Sequence, residues 1–101
     1  MSVVVMATIK VDPAVLRNLF ESKADVFKAI AEEAKTVGAL HHQFVAGEDR
    51  VLILDEWESA EAFQQFFSGQ PEIAALMQEA GVEEPPEIQV WQPMTDAPDL
   101  F

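Results

Sequence analysis

The chain has 101 residues, half of them hydrophobic, and its 18 acidic against 6 basic side chains give a formal net charge of −12. This composition predicts one soluble globular domain spanning residues 1–101, and the charge argues against binding to nucleic acid or to an anionic membrane. The absence of cysteine excludes disulfides, thiolate catalysis and cysteine-ligated metal sites.

The first half of the chain predicts a strand followed by a helix. The β-branched run from Ser2 to Val11 is typical of a strand buried on both faces. Its longest apolar stretch is too short to cross a bilayer, so we expect a cytoplasmic protein. Asp12 is suited to cap the N-terminus of a helix, and Pro13 to occupy its first turn. Apolar residues then recur at steps of three and four, which predicts one long amphipathic helix that ends at Gly38.

The second half predicts a hairpin, a helical region and a last strand. Ser59 stands where a helix N-cap belongs, and Phe63, Phe66 and Phe67 recur behind it at helical spacing. The predicted elements are a strand over Ala39–Ala46, a turn over Gly47–Asp49, a strand beginning at Val51, the phenylalanine helix, a helix over Glu72–Ala80 capped by Gly81, a strand over Glu87–Gln92, and a tail over residues 93–101.

The order β-α-β-β-α(α)-β predicts an α+β, ferredoxin-like fold with a four-stranded antiparallel sheet and helices on one face. The first strand is apolar on both sides: Val3 and Val5 take one side, while Val4 and Met6 take the other. Helices can cover only one side of such a sheet. We therefore expect a homodimer that packs through the other sheet face.

The two histidines, His41 and His42, are the only imidazoles available for acid–base chemistry near neutral pH. Adjacent strand residues point to opposite faces, so at most one should serve a given pocket, and His42 shares its parity with the apolar Phe44. Asp55 falls on an otherwise apolar strand face, where it could orient an imidazole or accept a proton. The alternatives are an ordinary hydrogen-bonded strand histidine and a carboxylate at a strand end beside a helix N-terminus.

Four apolar side chains could shape a cavity for a flat ligand. Trp57 and Trp91 could stack on it, Met6 could line the same cavity, and Phe66 could narrow it. The alternative for each of them is ordinary core packing.

The segments Gly38-Ala39-Leu40, Asp55-Glu56-Trp57-Glu58-Ser59 and Glu61-Ala62-Phe63 resemble the antibiotic biosynthesis monooxygenase (ABM) family of the dimeric α/β barrel superfamily. The family motif, an acid, one residue and then tryptophan, is matched by Asp55 and Trp57. The histidine that many members carry at the end of the following helix motif is Phe66 here, and His42 stands where an aromatic hydroxyl is common.

The resemblance implies a cofactor-independent monooxygenase, with no metal or other cofactor, that acts on a phenolic or quinol-like aromatic. In this hypothesis His42 and Asp55 are catalytic, and Trp57, Trp91, Phe66 and Met6 bind the substrate. Two alternatives remain: a non-catalytic dimeric module that binds a ligand or serves as a scaffold, and a haem-binding or haem-degrading protein that uses His41 or His42 as iron ligand.

Overall fold

A computed structural model describes residues 2–98. The strands and helices run, in chain order, β1 Val3–Ile9, α1 Pro13–Ser22, α2 Ala24–Thr36, β2 Ala39–Ala46, β3 Val51–Trp57, α3 Ala60–Ser68, α4 Pro71–Glu79 and β4 Glu87–Trp91. Residues 93–98 follow β4 without forming a helix or strand. The last three residues of the predicted tail, 99–101, lie outside the described part of the chain.

The four strands form one antiparallel sheet in the order β2-β3-β1-β4. β1 therefore lies in the interior of the sheet, as its largely β-branched, apolar sequence predicts. The hairpin between β2 and β3 turns over residues 47–50, where the Gly47 N–H donates to the Arg50 carbonyl at 2.8 Å. The ferredoxin-like α+β fold predicted from the order of elements is confirmed.

One predicted helix is in fact two. The single helix expected between Pro13 and Gly38 breaks at Lys23, whose φ of −122° and ψ of 30° leave the helical region. The Lys23 N–H still closes α1 by donating to the Leu19 carbonyl at 2.7 Å, and the Lys23 carbonyl accepts from the first turn of α2. The break falls among the six residues between Phe20 and Phe27, which include no leucine, isoleucine, methionine or aromatic side chain to hold the helix against the core.

The predicted helix caps form as expected. The Asp12 side chain accepts from the Ala14 N–H at 2.9 Å, and the Ser59 hydroxyl accepts from the Ala62 N–H at 3.1 Å. Gly38, just beyond α2, adopts a φ of +123°. Residues other than glycine rarely adopt this backbone conformation, because their Cβ atom clashes with the backbone. These local signals fix where the helices begin and end.

The core forms two clusters, one at each end of the paired central strands β1 and β3. The cluster under α1 comprises Ile9, Val11, Leu16, Leu19 and Val51, and the cluster under α3 comprises Val3, Val5, Trp57 and Phe63. Neither α2 nor α4 contributes a fully buried residue. The sheet is therefore tightly covered at its two ends, and a space remains between them beneath α2 and α4.

Candidate functional site

The register between β2 and β3 brings His42 directly opposite Asp55. The His42 Nδ1 and Asp55 Oδ1 atoms lie 2.6 Å apart, a distance typical of a strong, charge-assisted hydrogen bond. An ionised carboxylate can only accept, so the proton of this bond belongs to Nδ1. The neutral imidazole then carries its free lone pair on Nε2, the nitrogen available to act as a base.

Trp57 holds the other oxygen of the same carboxylate. Its indole Nε1–H donates to Asp55 Oδ2 at 3.1 Å, and the tryptophan itself is only 2% exposed. The Asp55 side chain is 11% exposed, whereas that of His42 is 44% exposed. A buried indole thus anchors a nearly buried carboxylate, which in turn orients a histidine that solutes can reach.

These three residues border a cavity of about 430 Å³ that lies between the sheet and the helices. This volume falls within the range of sites for small organic molecules, about 300–1,000 Å³. Its walls are mainly aliphatic and aromatic, and Phe66 lies at the wall with its ring centroid 5.4 Å from that of Trp57. Phe66 therefore narrows the space without filling it.

The structure separates the predicted ligand-binding residues into two groups. Trp57 and Phe66 border the cavity, but Met6 and Trp91 do not. Trp91 pairs with Val4 across the β1–β4 ladder and is 52% exposed, and Met6 shares its side of β1 with Val4. The expectation that Met6 and Trp91 line the same cavity is corrected, because both side chains belong to the sheet face opposite the helices.

The two histidines lie on opposite sides of β2, as alternation along a strand predicts. His42 stands opposite Asp55 in the ladder and is bonded to it, whereas His41 stands opposite Glu56. A β-bulge between Ala39 and His41 precedes this pair. Both residues are among those that border the cavity, but only the His42 imidazole is bonded to the carboxylate at its wall.

Several cavity residues were not singled out from the sequence. They come from α2 and α4: Lys28, Ile30, Ala31, Ala34, Lys35, Ile73, Leu76 and Met77. The only signal for them was the amphipathic pattern of these helices, which is equally typical of a closed core. That their apolar stripes face a space rather than packed side chains follows from how the helices sit on the sheet.

Residues 2–98 contain neither a cluster of metal-binding side chains nor a membrane-spanning helix. No group of three or more His, Asp or Glu side chains is arranged so that it could hold a metal ion within that part of the chain. None of the helices described there is long and apolar enough to span a membrane.

No protein-family model and no curated protein matches this chain. Several solved structures are similar to this chain. The Streptomyces coelicolor monooxygenase from ActVA-Orf6, solved in complex with nanaomycin D, is 25% identical, with a TM-score of 0.71 over 98% of this chain and 93% of that one. A Caulobacter crescentus CB15 protein provisionally assigned as an antibiotic biosynthesis monooxygenase is also 25% identical, with a TM-score of 0.63 over 92% and 90% of the two chains.

A more distant structure shares the fold. SnoaB, a cofactor-independent oxygenase from Streptomyces nogalater, is 18% identical, with a TM-score of 0.57 over 97% of this chain and 96% of its own. The similarity in each case extends over nearly the full length of both chains. These likenesses confirm the resemblance to the antibiotic biosynthesis monooxygenase family that the sequence indicates.

Proposed function

We propose that this protein is a cofactor-independent monooxygenase that oxidises a phenolic or quinol-like aromatic in the cavity beneath α2 and α4. The observation that carries the proposal is the hydrogen-bonded series Trp57–Asp55–His42 at the wall of that apolar space. It supplies a base with a fixed tautomer next to a volume that suits a small aromatic molecule. The monooxygenase from ActVA-Orf6 and the cofactor-independent oxygenase SnoaB support the same reaction class.

The first step is removal of a phenolic proton. His42 Nε2 accepts it, and Asp55 stabilises the resulting imidazolium through the 2.6 Å bond to Nδ1. The substrate anion is electron-rich enough to reduce dioxygen itself, so the substrate supplies all four electrons that reduce O₂. For a ring CH₂ activated by the phenolate, one oxygen atom becomes the new carbonyl and the other leaves as water: R₂CH₂ + O₂ gives R₂C=O + H₂O.

The remaining residues position the substrate and limit access of water. Trp57 and Phe66 offer ring faces and edges against which a flat aromatic can pack. The largely apolar wall strengthens the His42–Asp55 interaction once a ligand has displaced water. In this proposal the protein contributes a base, a fixed orientation and a dry environment, and the substrate contributes the redox chemistry.

Oxygen consumption tests the proposal. Purified, metal-depleted protein is incubated with a panel of quinols in an oxygen electrode, and spontaneous oxidation is subtracted. His42→Ala should lower the enzymatic rate about 10²- to 10⁴-fold, the usual contribution of a general base. His41→Ala, which removes the imidazole that is not bonded to Asp55, should retain most of the rate. Unchanged uptake in His42→Ala, or loss in His41→Ala alone, would rule out the assigned base.

Phe66 favours one alternative, a non-catalytic ligand-binding module. It puts an apolar ring where the related motif carries a histidine, so the cavity has one polar group fewer for catalysis. Tight quinol binding by calorimetry without any enzymatic oxygen uptake would support this alternative. A haem titration followed in the Soret region tests the haem-binding alternative: a band shift that is lost in His41→Ala or in His42→Ala would identify that imidazole as the iron ligand.

We also propose that two copies of the chain pack through the sheet face opposite the helices. This face carries apolar side chains from all four strands: Val4, Met6, Val45, Leu52, Leu54 and Trp91. No element within residues 2–98 covers it, because the helices pack on the other side. The same ladder positions also carry polar side chains: Thr8, His41, Gln43, Glu56, Glu87 and Gln89. The apolar side chains adjoin one another on β1 and β3, and an uncovered apolar group of this kind marks an interaction site.

Light scattering during size-exclusion chromatography tests the dimer. Leu54→Glu places a charge in the middle of the apolar face and should convert the dimer to a monomer, because each interface would bury two uncompensated carboxylates. Val15→Glu makes the same chemical change at an exposed position on α1 and should leave the mass unaffected. A monomeric wild-type protein at micromolar concentration would refute the proposed interface.

A further inference from the structure

The charges around the cavity differ in sign from those of the molecule as a whole. Lys28 and Lys35 border it, and Asp55 is the only carboxylate among its lining residues. With both histidines neutral, the lining therefore carries one net positive charge in a chain whose formal net charge is −12. The balance of charge along the cavity lining is therefore opposite in sign to that of the chain as a whole.

These two lysines also lack ion-pair partners within residues 2–98. Lys10 pairs with Glu84 at 2.9 Å, Lys23 with Glu79 at 4.0 Å, and Arg50 with Asp49 at 3.1 Å. No carboxylate of the described chain lies within 4.0 Å of the Lys28 or Lys35 ammonium group.

Their spacing places both lysines on one stripe of α2. Lys28, Ala31 and Lys35 follow each other at steps of three and four residues, and all three border the cavity. Glu32, which is also within one turn of each lysine, does not border it. The two lysines are exposed, so their aliphatic stems line the opening while their ammonium groups remain in solvent.

Ala31, the residue between the two lysines on this stripe, has a small side chain. At about 1.5 Å per residue, Lys28 and Lys35 are separated by roughly 10 Å along the helix axis. The flexible four-carbon stems can bring both ammonium groups toward the space between them. The two lysines can therefore hold an anionic group there while an aromatic body enters the cavity.

We propose that the ligand of this cavity is an anionic aromatic, with a carboxylate or similar acidic group held at the mouth by Lys28 and Lys35. The inference rests on the proposed function only in taking the cavity as the ligand site, and it does not depend on oxidation. It narrows the substrate class from phenols and quinols in general to those with an acidic substituent. It also explains why cations border the opening of a strongly acidic protein.

Binding of a matched probe pair tests this assignment. 2-Naphthoate and 2-naphthamide have nearly the same shape but differ by one negative charge, and isothermal titration calorimetry at low and high salt measures both. The wild-type protein should bind the naphthoate about 5-fold more tightly or better at low salt, given that each exposed charge pair contributes roughly 1.5- to 5-fold. The preference should shrink as salt screens the lysines.

Two double variants separate the local effect from net charge. Lys28→Gln/Lys35→Gln should abolish the preference for naphthoate while leaving naphthamide affinity unchanged. Lys10→Gln/Lys23→Gln makes the same change in net charge at lysines that do not border the cavity, and it should retain the preference. Circular dichroism checks that both variants fold.

Equal affinity for the two probes, absence of binding by both, or a preference that survives Lys28→Gln/Lys35→Gln would overturn the inference. The outcome is independent of the oxygen-uptake experiment. Charge-selective binding without oxygen uptake would refute the proposed oxidation alone, and oxygen uptake without charge selectivity would refute the role of the lysines alone.

Discussion

Replacing Asp55 with asparagine should reverse the tautomer of His42. The carboxylate accepts two hydrogen bonds, at 2.6 Å from His42 Nδ1 and at 3.1 Å from Trp57 Nε1. Asparagine has nearly the same shape, but one of its two acceptor positions becomes an NH₂ donor. The amide must therefore direct its donor group either at the indole or at the imidazole.

The burial of Trp57 decides between these orientations. Its indole is 2% exposed, so water cannot replace a lost acceptor, and an unsatisfied N–H would cost about 1–3 kcal/mol. The imidazole can adapt at lower cost by moving its proton from Nδ1 to Nε2. The amide oxygen of Asp55→Asn should therefore stay with Trp57, and its NH₂ should donate to an unprotonated Nδ1 of His42.

The change of tautomer removes the free lone pair from Nε2 of His42. With the proton on Nε2, the imidazole has no acceptor directed away from Asp55, and it cannot take a proton from a bound phenol. The oxygen-uptake rate of Asp55→Asn should fall about 10²- to 10⁴-fold, as for loss of the base itself. The free energy of unfolding should change by no more than about 1.5 kcal/mol, the net worth of one ordinary hydrogen bond.

Long-range ¹H–¹⁵N correlation spectra of the imidazole rings measure the tautomer directly. The chain has two histidines, and His41, which is not bonded to Asp55, serves as an internal reference. With the imidazoles neutral, the wild-type spectrum should show the Nδ1–H form of His42 and that of Asp55→Asn the Nε2–H form. A wild-type Nε2–H form, or an unchanged tautomer in Asp55→Asn, would refute the proposed orientation of this base.

Two further predictions concern stability and are measured by chemical denaturation. Phe63→Ala removes a ring that is 6% exposed and packs edge-on against Trp57, so it should destabilise the protein by about 3–5 kcal/mol. Val37→Ala, at a position that is 46% exposed, is the control. An equal loss of stability in Val37→Ala would contradict the assignment of Phe63 to the core. Gly38→Ala should lower the free energy of unfolding by about 1–3 kcal/mol because Gly38 has a positive φ. The loss should exceed that of Gly81→Ala, because a Cβ at Gly38 would lie 3.2 Å from the Ala62 Cβ, whereas a Cβ at Gly81 would meet nothing within 4 Å. Equal costs at the two glycines would show that this close approach is relieved.

The sequence by itself determined the elements and their order, because the signals that set them are local. The Ser59 cap and the glycine after α2 depend on residues a few positions apart, and the apolar pattern of β1 depends only on its own side chains. The acid–tryptophan junction at the end of β3 was likewise visible as a motif. These features sufficed for the ferredoxin-like fold and for its family resemblance.

The break at Lys23 was missed because the apolar spacing on either side of it is compatible with one continuous helix. The part that α2 and α4 play in lining the predicted cavity was missed for a related reason: an amphipathic stripe shows which face of a helix points inward, but not whether side chains or empty space meet it. Only the separate packing of α1 and α3 at opposite ends of the sheet leaves α2 and α4 above an open volume.

The tertiary structure alone decided which of the suspected residues meet. His42 and Asp55 are 13 residues apart, and their 2.6 Å contact exists because the hairpin register places them opposite each other. A shift of one residue in that register would have paired Asp55 with a different side chain. The strand pairing of β4 likewise assigns Trp91 to the open face, away from the cavity. Residue types and local spacing are written in the sequence, whereas register and layer packing depend on contacts between segments far apart in the chain.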